Sequence, residues 1–166
     1  GCRSVMSAEK ELIVFTDGAA LGNPGKGGYG IVMKWGSARK EISEAYRHTT
    51  NNRMELLAVI VALESIKKDG IRISMYTDSQ YVCNAIEKKW IFNWQKTGWK
   101  GKKNVDLWKR FMPLYKLHHV RFHWVKGHAG NVENEVCDVL ATTAARKGPW
   151  LTDHGYEDAE KSEVLL

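Results

Sequence analysis

The sequence is poor in cysteine and has no long apolar run. Its three cysteines, Cys2, Cys83 and Cys137, lie far apart and form no C-x-x-C pair. This pattern argues against a disulfide framework or a zinc site and predicts a reducing, cytoplasmic location. No segment reaches the length of a membrane span and no signal peptide is found before Glu11, so we expect no membrane partner.

The chain is long enough for one domain with a substantial core, and its charge is unevenly distributed. It has 166 residues and a formal net charge of +6, but residues 148–166 include five acidic residues and one lysine. The remaining chain is therefore more basic than the total indicates, which suits a polyanionic partner or simply solubility. We expect a monomer with an N-terminal extension at 1–10, partly artificial before Met6, and a flexible acidic tail at 148–166.

An apolar strand near the start of the chain leads into an acidic residue. Leu12 to Phe15 form an almost continuous run of β-formers, which predicts a central strand covered on both faces. We expect the strand to end at Asp17, before a glycine-rich loop at 18–28. Functional residues of open α/β sheets lie at such strand ends, but Asp-Gly is also a common turn pair, so both interpretations stay open. Strand patterns at 29–35 and 40–46 then predict an antiparallel hairpin.

A helix with polar residues at its start follows this hairpin. Its apolar spacing predicts a helix over residues 49–68. Asn51, Asn52 and Glu55 are three or four residues apart, so their side chains can point into one region. Glu55 is either a functional carboxylate or the acidic member of a capping box that begins at Asn52.

A second strand repeats the pattern of the first. Residues 70–78 are apolar and end in Thr-Asp, and a helix is expected to begin at Ser79. Asp78 could simply cap that helix. Two parallel strands that each end in Thr-Asp make a shared functional role more plausible.

Residues 88–103 form a basic segment rich in tryptophan. The segment contains six lysines, three tryptophans and no acidic residue. Lysine stems could cover tryptophans of the core, but lysines beside exposed aromatic rings also suit a nucleic-acid strand, which we favour.

The last third of the chain contains one histidine loop and one acidic helix. We expect a helix over 104–115 that is interrupted near its end by Pro113, a strand over 120–125, and a loop containing His128. A helix over 132–145 follows, with an apolar stripe of Val132, Val136, Val139, Leu140 and Thr143. Asp138 lies within this stripe and needs a partner, because burial of a lone charge is costly.

Four carboxylates therefore stand out, on Asp17, Glu55, Asp78 and Asp138. Carboxylates that lie close together repel one another unless cations join them, and oxygen ligands favour Mg²⁺ or Mn²⁺. A pair of such ions roughly 3.5–4 Å apart can activate water and stabilise a leaving oxygen in phosphodiester cleavage. The spacing in the sequence does not itself bring the four together.

The sequence resembles the ribonuclease H family, in its bacterial type I group. The resemblance covers residues 11–147 and consists of several motifs in one order. These motifs are Thr16-Asp-Gly18, Gly22-Asn-Pro-Gly25, Gly27-Gly-Tyr-Gly30, Thr49-Thr-Asn-Asn-Arg-Met-Glu-Leu56, Thr77-Asp-Ser-Gln-Tyr81, Val125-Lys-Gly-His-Ala-Gly130 and Asn134-Glu-x-x-Asp138. It implies an α/β fold with a mixed five-stranded sheet of order 3-2-1-4-5, in which strand 2 is antiparallel, flanked by helices.

The resemblance also implies an activity, a cofactor and a set of residue roles. The enzyme would hydrolyse the RNA strand of RNA–DNA hybrids, giving 3′-hydroxyl and 5′-phosphate products. Two Mg²⁺ ions, replaceable by Mn²⁺, would be held with substrate bound by Asp17, Glu55, Asp78 and Asp138, with Asp17 bridging both. His128 would assist proton transfer or product release.

The implied substrate contacts fall into three groups. Amide side chains would read the minor groove of the hybrid, where the 2′-hydroxyl distinguishes RNA from DNA. Thr50 and Asn93 would bind a DNA phosphate, and the basic segment 88–103 would hold the DNA strand. The residues are Asn23, Thr50, Asn51, Asn52, Gln80, Lys88, Lys89, Trp90, Asn93, Trp94, Lys96 and Trp99.

Two other classes of function fit parts of the sequence. One is a nucleic-acid-binding module without catalysis, which the four acidic residues and His128 argue against. The other is an integrase or junction resolvase that cuts DNA, against which Asn51, Asn52 and Gln80 favour recognition of RNA.

Overall fold

Six strands form one mixed sheet in the computed structural model, which describes residues 10–126 and 131–163. The strands are β1 (Leu12–Leu21), β2 (Gly25–Trp35), β3 (Ala38–Thr49), β4 (Arg72–Thr77), β5 (His119–Trp124) and β6 (Trp150–Leu151). Their order is β5-β4-β1-β2-β3-β6, and β2 is antiparallel to both of its neighbours. The predicted fold class is confirmed, with a sixth strand added beside β3.

Helices cover both faces of the sheet. They are α1 (Asn51–Glu64), α2 (Gln80–Glu87), α3 (Trp90–Lys96), α4 (Val105–Leu117), α5 (Val132–Lys147) and α6 (His154–Glu163). Alternate residues of β1 face opposite sides, as the pleat requires. Val14 joins the main core with α1, whereas Phe15 packs with Val32 and Cys137 under α5. The strand is therefore central and covered on both faces, as predicted.

The glycine-rich stretch is mostly strand, which corrects the predicted loop at 18–28. β1 continues past Asp17 to Leu21, and β2 begins at Gly25. The glycines are needed because α5 lies directly on them. A Cβ atom on Gly28 would lie 2.5 Å from the carbonyl oxygen of Ala141, and one on Gly30 would overlap that of Cys137.

The fully buried residues of α5 are small, so the predicted apolar stripe is only partly right: Val136 and Leu140 pack partly buried against the core. Cys137, Ala141 and Ala145, each four residues apart, are fully buried against the sheet. Val132 and Val139 are 71% and 60% exposed. Larger side chains on the buried side would hold the helix too far from the glycines of β2.

α1 is shorter than predicted and is buried almost all round, between the sheet and α4. It begins after Thr50, whose hydroxyl oxygen accepts a hydrogen bond from the Arg53 N–H at 3.2 Å. Thr50 is therefore the cap, and the Asn52–Glu55 capping box does not form. α4 likewise continues through Pro113 to Leu117, beyond the predicted interruption.

The described part of the predicted flexible tail, residues 148–163, contains a strand and a helix, which corrects that prediction. Residues 150–151 pair with β3 as β6, and residues 154–163 form α6. The buried carboxylate of Asp153 forms an ion pair with Arg53 at 2.8 Å. This polar contact to a distant helix has no periodic pattern that the sequence could reveal. Among the residues described, the structure contains no helix with the length and apolarity needed to span a membrane.

We expect Gly30→Ala to destabilise the fold, because the new methyl group would overlap the α5 backbone. The free energy of unfolding should fall by about 1–3 kcal/mol, as for other overpacked sites, in urea titrations followed by circular dichroism. Ser43→Ala is the matched control. Ser43 lies in β3, pairs with Gly30 of β2 and is exposed. Equal stability of the two variants would contradict the close approach of α5.

Candidate functional site

Three carboxylates from three elements meet at one edge of the sheet. Asp17 belongs to β1, Glu55 to the second turn of α1, and Asp78 directly follows β4. One oxygen atom from each lies within 4.8 Å of the others. Asp17 and Glu55 are 7% and 5% exposed, so two acidic groups are withdrawn from water side by side. The structure thus brings together three of the four predicted acidic residues in one group.

The backbone at Gly18 determines how Asp17 and Glu55 approach. Its N–H donates a hydrogen bond to Glu55 Oε1 at 2.6 Å and to Asp17 Oδ1 at 2.9 Å. A Cβ atom at this position would overlap the backbone of α1 at residues 54–55. Only glycine therefore lets α1 come close enough to place its carboxylate beside β1.

Asp138 approaches the same group from α5. It shares a small recess with Asp17 and Asp78, and its charge helps to raise the pKa of Asp17. Gly30, the cross-strand partner of Asp17, is the residue on which α5 packs. The residues that line this recess are Asp17, Asp78, Val125, Lys126, Asn134, Glu135 and Asp138.

The acidic group has strongly perturbed proton affinities. Burial, with the charge of Asp78, raises the pKa of Asp17 to about 8. Burial and the neighbouring Asp17 raise the pKa of Glu55 well above its ordinary value. Without a counter-cation, burial beside a second carboxyl therefore favours the neutral form of each group over its charged form.

The ligand atoms fit a hard divalent cation. Asp78 Oδ1 and Asn134 Oδ1 are buried and have no hydrogen-bond partner among the described residues. Buried oxygen atoms are normally paired, so an unpaired carboxylate oxygen facing two other carboxylates suits a cation. All of these candidate ligand atoms are oxygens. Mg²⁺ and Mn²⁺ prefer oxygen ligands, whereas zinc is more often bound by nitrogen and sulfur.

An open cleft lined by amides adjoins the acidic group and shares Glu55 and Asp78 with it. Asn51, Asn52 and Gln80, all predicted substrate contacts, lie together along this cleft. Asn23 is tied to them, because its Oδ1 accepts from the Asn51 N–H at 3.0 Å. The residues that line the cleft are Asn51, Asn52, Glu55, Asp78, Ser79, Gln80, Tyr81 and Trp124. Asp78 does not cap α2, since Ser79 accepts from the Val82 N–H at 3.1 Å.

Trp124 is a cleft residue that the sequence interpretation missed. Its ring is 48% exposed, and its Nε1–H donates to the carbonyl oxygen of Asp78 at 3.1 Å. The ring therefore lies at the junction of the cleft and the acidic group. The sequence did place Trp124 at the end of a predicted strand. Since β5 is parallel to β4, the ends of both strands lie at the same edge of the sheet, and this could have indicated a site residue.

The basic segment 88–103 combines exposed and packed tryptophans. Trp90 is 41% exposed and lies 6.5 Å from Trp94, centroid to centroid. Trp94 contacts the buried Trp108 edge-on, and Trp99 also packs against the core. Exposed side chains around Trp90 are those of Lys88, Lys89, Asn93 and Lys96. The tryptophans thus differ: Trp94 and Trp99 pack against the core, whereas Trp90 is exposed beside lysines, as a surface that binds nucleic acid would require.

His128, predicted to assist proton transfer or product release, lies outside the described residues. It comes between β5 and α5 in the sequence, the elements that carry Trp124 and Asp138. The role of His128 therefore stays a prediction.

Comparisons with known proteins identify similar chains. The model of the family described as RNase H matches residues 9–146. Ribonuclease H of Desulforamulus reducens is 54% identical over 143 residues, which are 83% of this chain and 89% of that protein. The crystal structure of "LC9-RNase H1, a type 1 RNase H with the type 2 active-site motif" has a TM-score of 0.77 and 33% identity, covering 90% of this chain and 80% of that one. LC11-RNase H1, solved in complex with RNA/DNA hybrid, shares the fold at a TM-score of 0.66 and 23% identity, covering 82% of this chain and 98% of its own.

Asp17→Asn should stabilise the folded protein in the absence of divalent cations. A carboxyl whose pKa is raised by folding, here from 3.8 to about 8, makes stability fall as pH rises through that window, because the unfolded chain loses its proton first. The variant should gain up to about 5 kcal/mol in the free energy of unfolding at pH 8, and this gain should shrink to well under about 1 kcal/mol near pH 4. Urea titrations in a chelator at pH 8, 6 and 4 measure this, with the exposed Asp69→Asn as control. A gain independent of pH would contradict the buried-carboxyl explanation.

Proposed function

The chain belongs to the ribonuclease H family, and we propose that it hydrolyses the RNA strand of RNA–DNA hybrids as an endonuclease. Membership of this family supports activity as a nuclease, which is a hydrolase. We propose in addition that the products carry a 3′-hydroxyl and a 5′-phosphate. The observation that carries it is the convergence of Asp17, Glu55 and Asp78, with an unpaired Asp78 oxygen, beside an amide-lined cleft.

We infer that the acidic residues bind two Mg²⁺ ions when substrate is present, and that Mn²⁺ can substitute. Asp17 would contribute to both ions, since its carboxylate lies close to those of Glu55 and Asp78 and shares a recess with Asp138. Cations bound there would supply activation of water and charge stabilisation at the leaving oxygen. The Gly18 N–H orients the carboxylates of Asp17 and Glu55, so the ligand set is already arranged before substrate arrives.

The amide-lined cleft would place the hybrid against these carboxylates. Side-chain amides of Asn51, Asn52 and Gln80 can both donate and accept hydrogen bonds, which matches base edges and 2′-hydroxyls in a minor groove. Asn23 would extend the same surface through its bond to Asn51. Recognition of the 2′-hydroxyl next to the acidic group would confine cleavage to the RNA strand.

The DNA strand would lie along the basic segment. Lys88, Lys89 and Lys96 would pair with phosphates, and Trp90, with Trp94 and Trp99, would line the channel beside sugars. Thr50 and Asn93 would bind one DNA phosphate, and the Thr50 hydroxyl can still donate while it caps α1. His128 would assist proton transfer or product release from its loop.

We also propose that residues 11–147 form the catalytic domain and that the protein acts as a cytoplasmic monomer. Free, buried thiols at Cys83 and Cys137 are compatible with a reducing compartment. Sedimentation of the purified chain tests the monomer.

The reaction is tested with a hybrid whose RNA strand is end-labelled. With Mg²⁺, we expect cleavage of that strand alone, and no cleavage in a chelator or of matched duplex RNA and duplex DNA. Asp17→Asn should lose turnover by at least about a thousandfold while keeping its fold, because it removes ligand charge and no core packing. Binding without cleavage would instead favour a non-catalytic module, and cleavage of duplex DNA would favour a DNA-cutting relative.

Replacing Lys88, Lys89 and Lys96 with alanine should raise KM more than it lowers kcat. These side chains are exposed and do not line the recess of the acidic group, so they would contribute to binding alone. The slope of log affinity against log salt should flatten by up to about 0.7–0.9 per lost phosphate contact. The control replaces the exposed Lys67 and Lys68, which follow α1, and Lys116 of the last turn of α4, and makes the same charge change. An unchanged slope, or equal slopes in both triple variants, would remove the basic segment from the binding surface.

A further inference from the structure

The segment that follows α5 contacts the turn that leads into α1. Asp153 lies between β6 and α6, and its side chain is buried. Its Oδ2 accepts from Thr49 Oγ1 at 2.6 Å and from Arg53 Nε at 2.8 Å, and its Oδ1 accepts from Arg53 Nη2 at 2.9 Å. One carboxylate therefore binds the last residue of β3 and a residue in the first turn of α1.

The three residues between those two points are all proposed substrate contacts. Thr50 caps α1, and Asn51 and Asn52 line the amide cleft. Hydrogen bonds to charged groups are the stronger ones, and this carboxylate accepts three from side chains at either end of a five-residue stretch. The conformation of the stretch is thus restricted from outside the helix that carries it.

Arg53 has a second carboxylate partner. Its Nη1 and Nη2 donate to Asp106 at 2.8 and 2.7 Å, and its side chain is only 3% exposed. A buried guanidinium without any partner would be strongly destabilising, but loss of Asp153 leaves this one paired with α4. The contact from Asp153 can therefore be removed without leaving an isolated buried charge.

Glu55 is held by a separate set of contacts on the same helix. Its carboxylate accepts from the Gly18 N–H at 2.6 Å, and the backbone around it is in contact with β1. Neither contact involves Asp153. The amides and the metal-binding carboxylate of α1 are thus fixed from opposite sides.

We propose that Asp153 is a positioning residue that holds Asn51 and Asn52 in the conformation that binds the hybrid. The inference rests on the proposed function, and it assigns to the segment after α5 a role in substrate affinity. Loss of the Asp153 charge loosens the asparagines and leaves Glu55 in place. KM then rises while kcat is preserved.

Asp153→Asn is the direct test. We expect KM for the hybrid to rise about tenfold and kcat to stay within about twofold, at a temperature well below the thermal midpoint of the variant. The dissociation constant of the hybrid, measured in an Asp17→Asn background, should rise by the same factor. A role in stability alone would lower the midpoint and change neither quantity at this temperature.

Glu157→Gln is the matched control on the same segment. Glu157 binds Arg47 of β3 at 2.9–3.2 Å, so it attaches α6 without touching residues 49–53. Its KM should stay within about twofold of the parent value. Should Asp153→Asn not fold, Thr49→Val removes one side of the contact and keeps the Arg53 pair, and a smaller rise in KM is expected.

Three outcomes would overturn the inference. These are unchanged affinity in a folded Asp153 variant, equal loss of affinity in the Glu157 control, and a fall in kcat as large as the rise in KM. The parent enzyme separates this failure from that of the proposed function. If it does not cleave the hybrid, the proposed function is wrong; if it cleaves and Asp153→Asn has the same KM, only the positioning role is wrong.

Discussion

Contact between helix backbones and glycines of the sheet determines the geometry of the acidic group. Gly18 allows α1 to lie against β1, and Gly30 allows α5 to lie against β2 at the position paired with Asp17. Each contact brings one helical carboxylate, Glu55 or Asp138, toward the strand that carries Asp17. A side chain at either glycine would displace a whole helix and its carboxylate with it, so the arrangement depends on the absence of two Cβ atoms.

The same arrangement has an electrostatic cost. Carboxylates buried together favour their neutral forms, and the raised pKa values of Asp17 and Glu55 express that cost. Arg53 provides a contrast within the same helix, because its buried charge is balanced by Asp106 and Asp153. The fold thus neutralises the buried charge of Arg53 and leaves the clustered carboxylates without a cationic partner among the described residues. Such unmet charge is typical of functional sites, where stability is given up for chemistry.

Periodicity in the sequence predicted the parts of the fold that depend on one face being apolar. The central strand and the hairpin follow from runs of β-formers and short links, and Asp17 and Asp78 follow from where those runs end, whereas the full strand order came only from the family resemblance. The glycine stretch and the buried side of α5 were misread, because there the packing depends on small residues. Cys137 and Ala141 carry little hydrophobic signal compared with the exposed Val132 and Val139. Hydropathy ranks large apolar residues highest, whereas a helix that packs closely on a sheet needs small side chains at the contact.

Long-range polar contacts are the second kind of feature that the sequence did not reveal. Asp153 lies in an acidic segment whose composition is typical of a solvated tail, and its partner Arg53 is 100 residues away in the chain. A single ion pair has no period, so only the folded geometry shows which acidic residue is buried. This geometry also fixes two groups of residues on α1 by separate contacts. Glu55 is fixed through the backbone of β1 and the asparagines through the segment after α5. Under the proposed function, substrate affinity would then change in a variant, or in a related sequence, without disturbing the carboxylates of the acidic group.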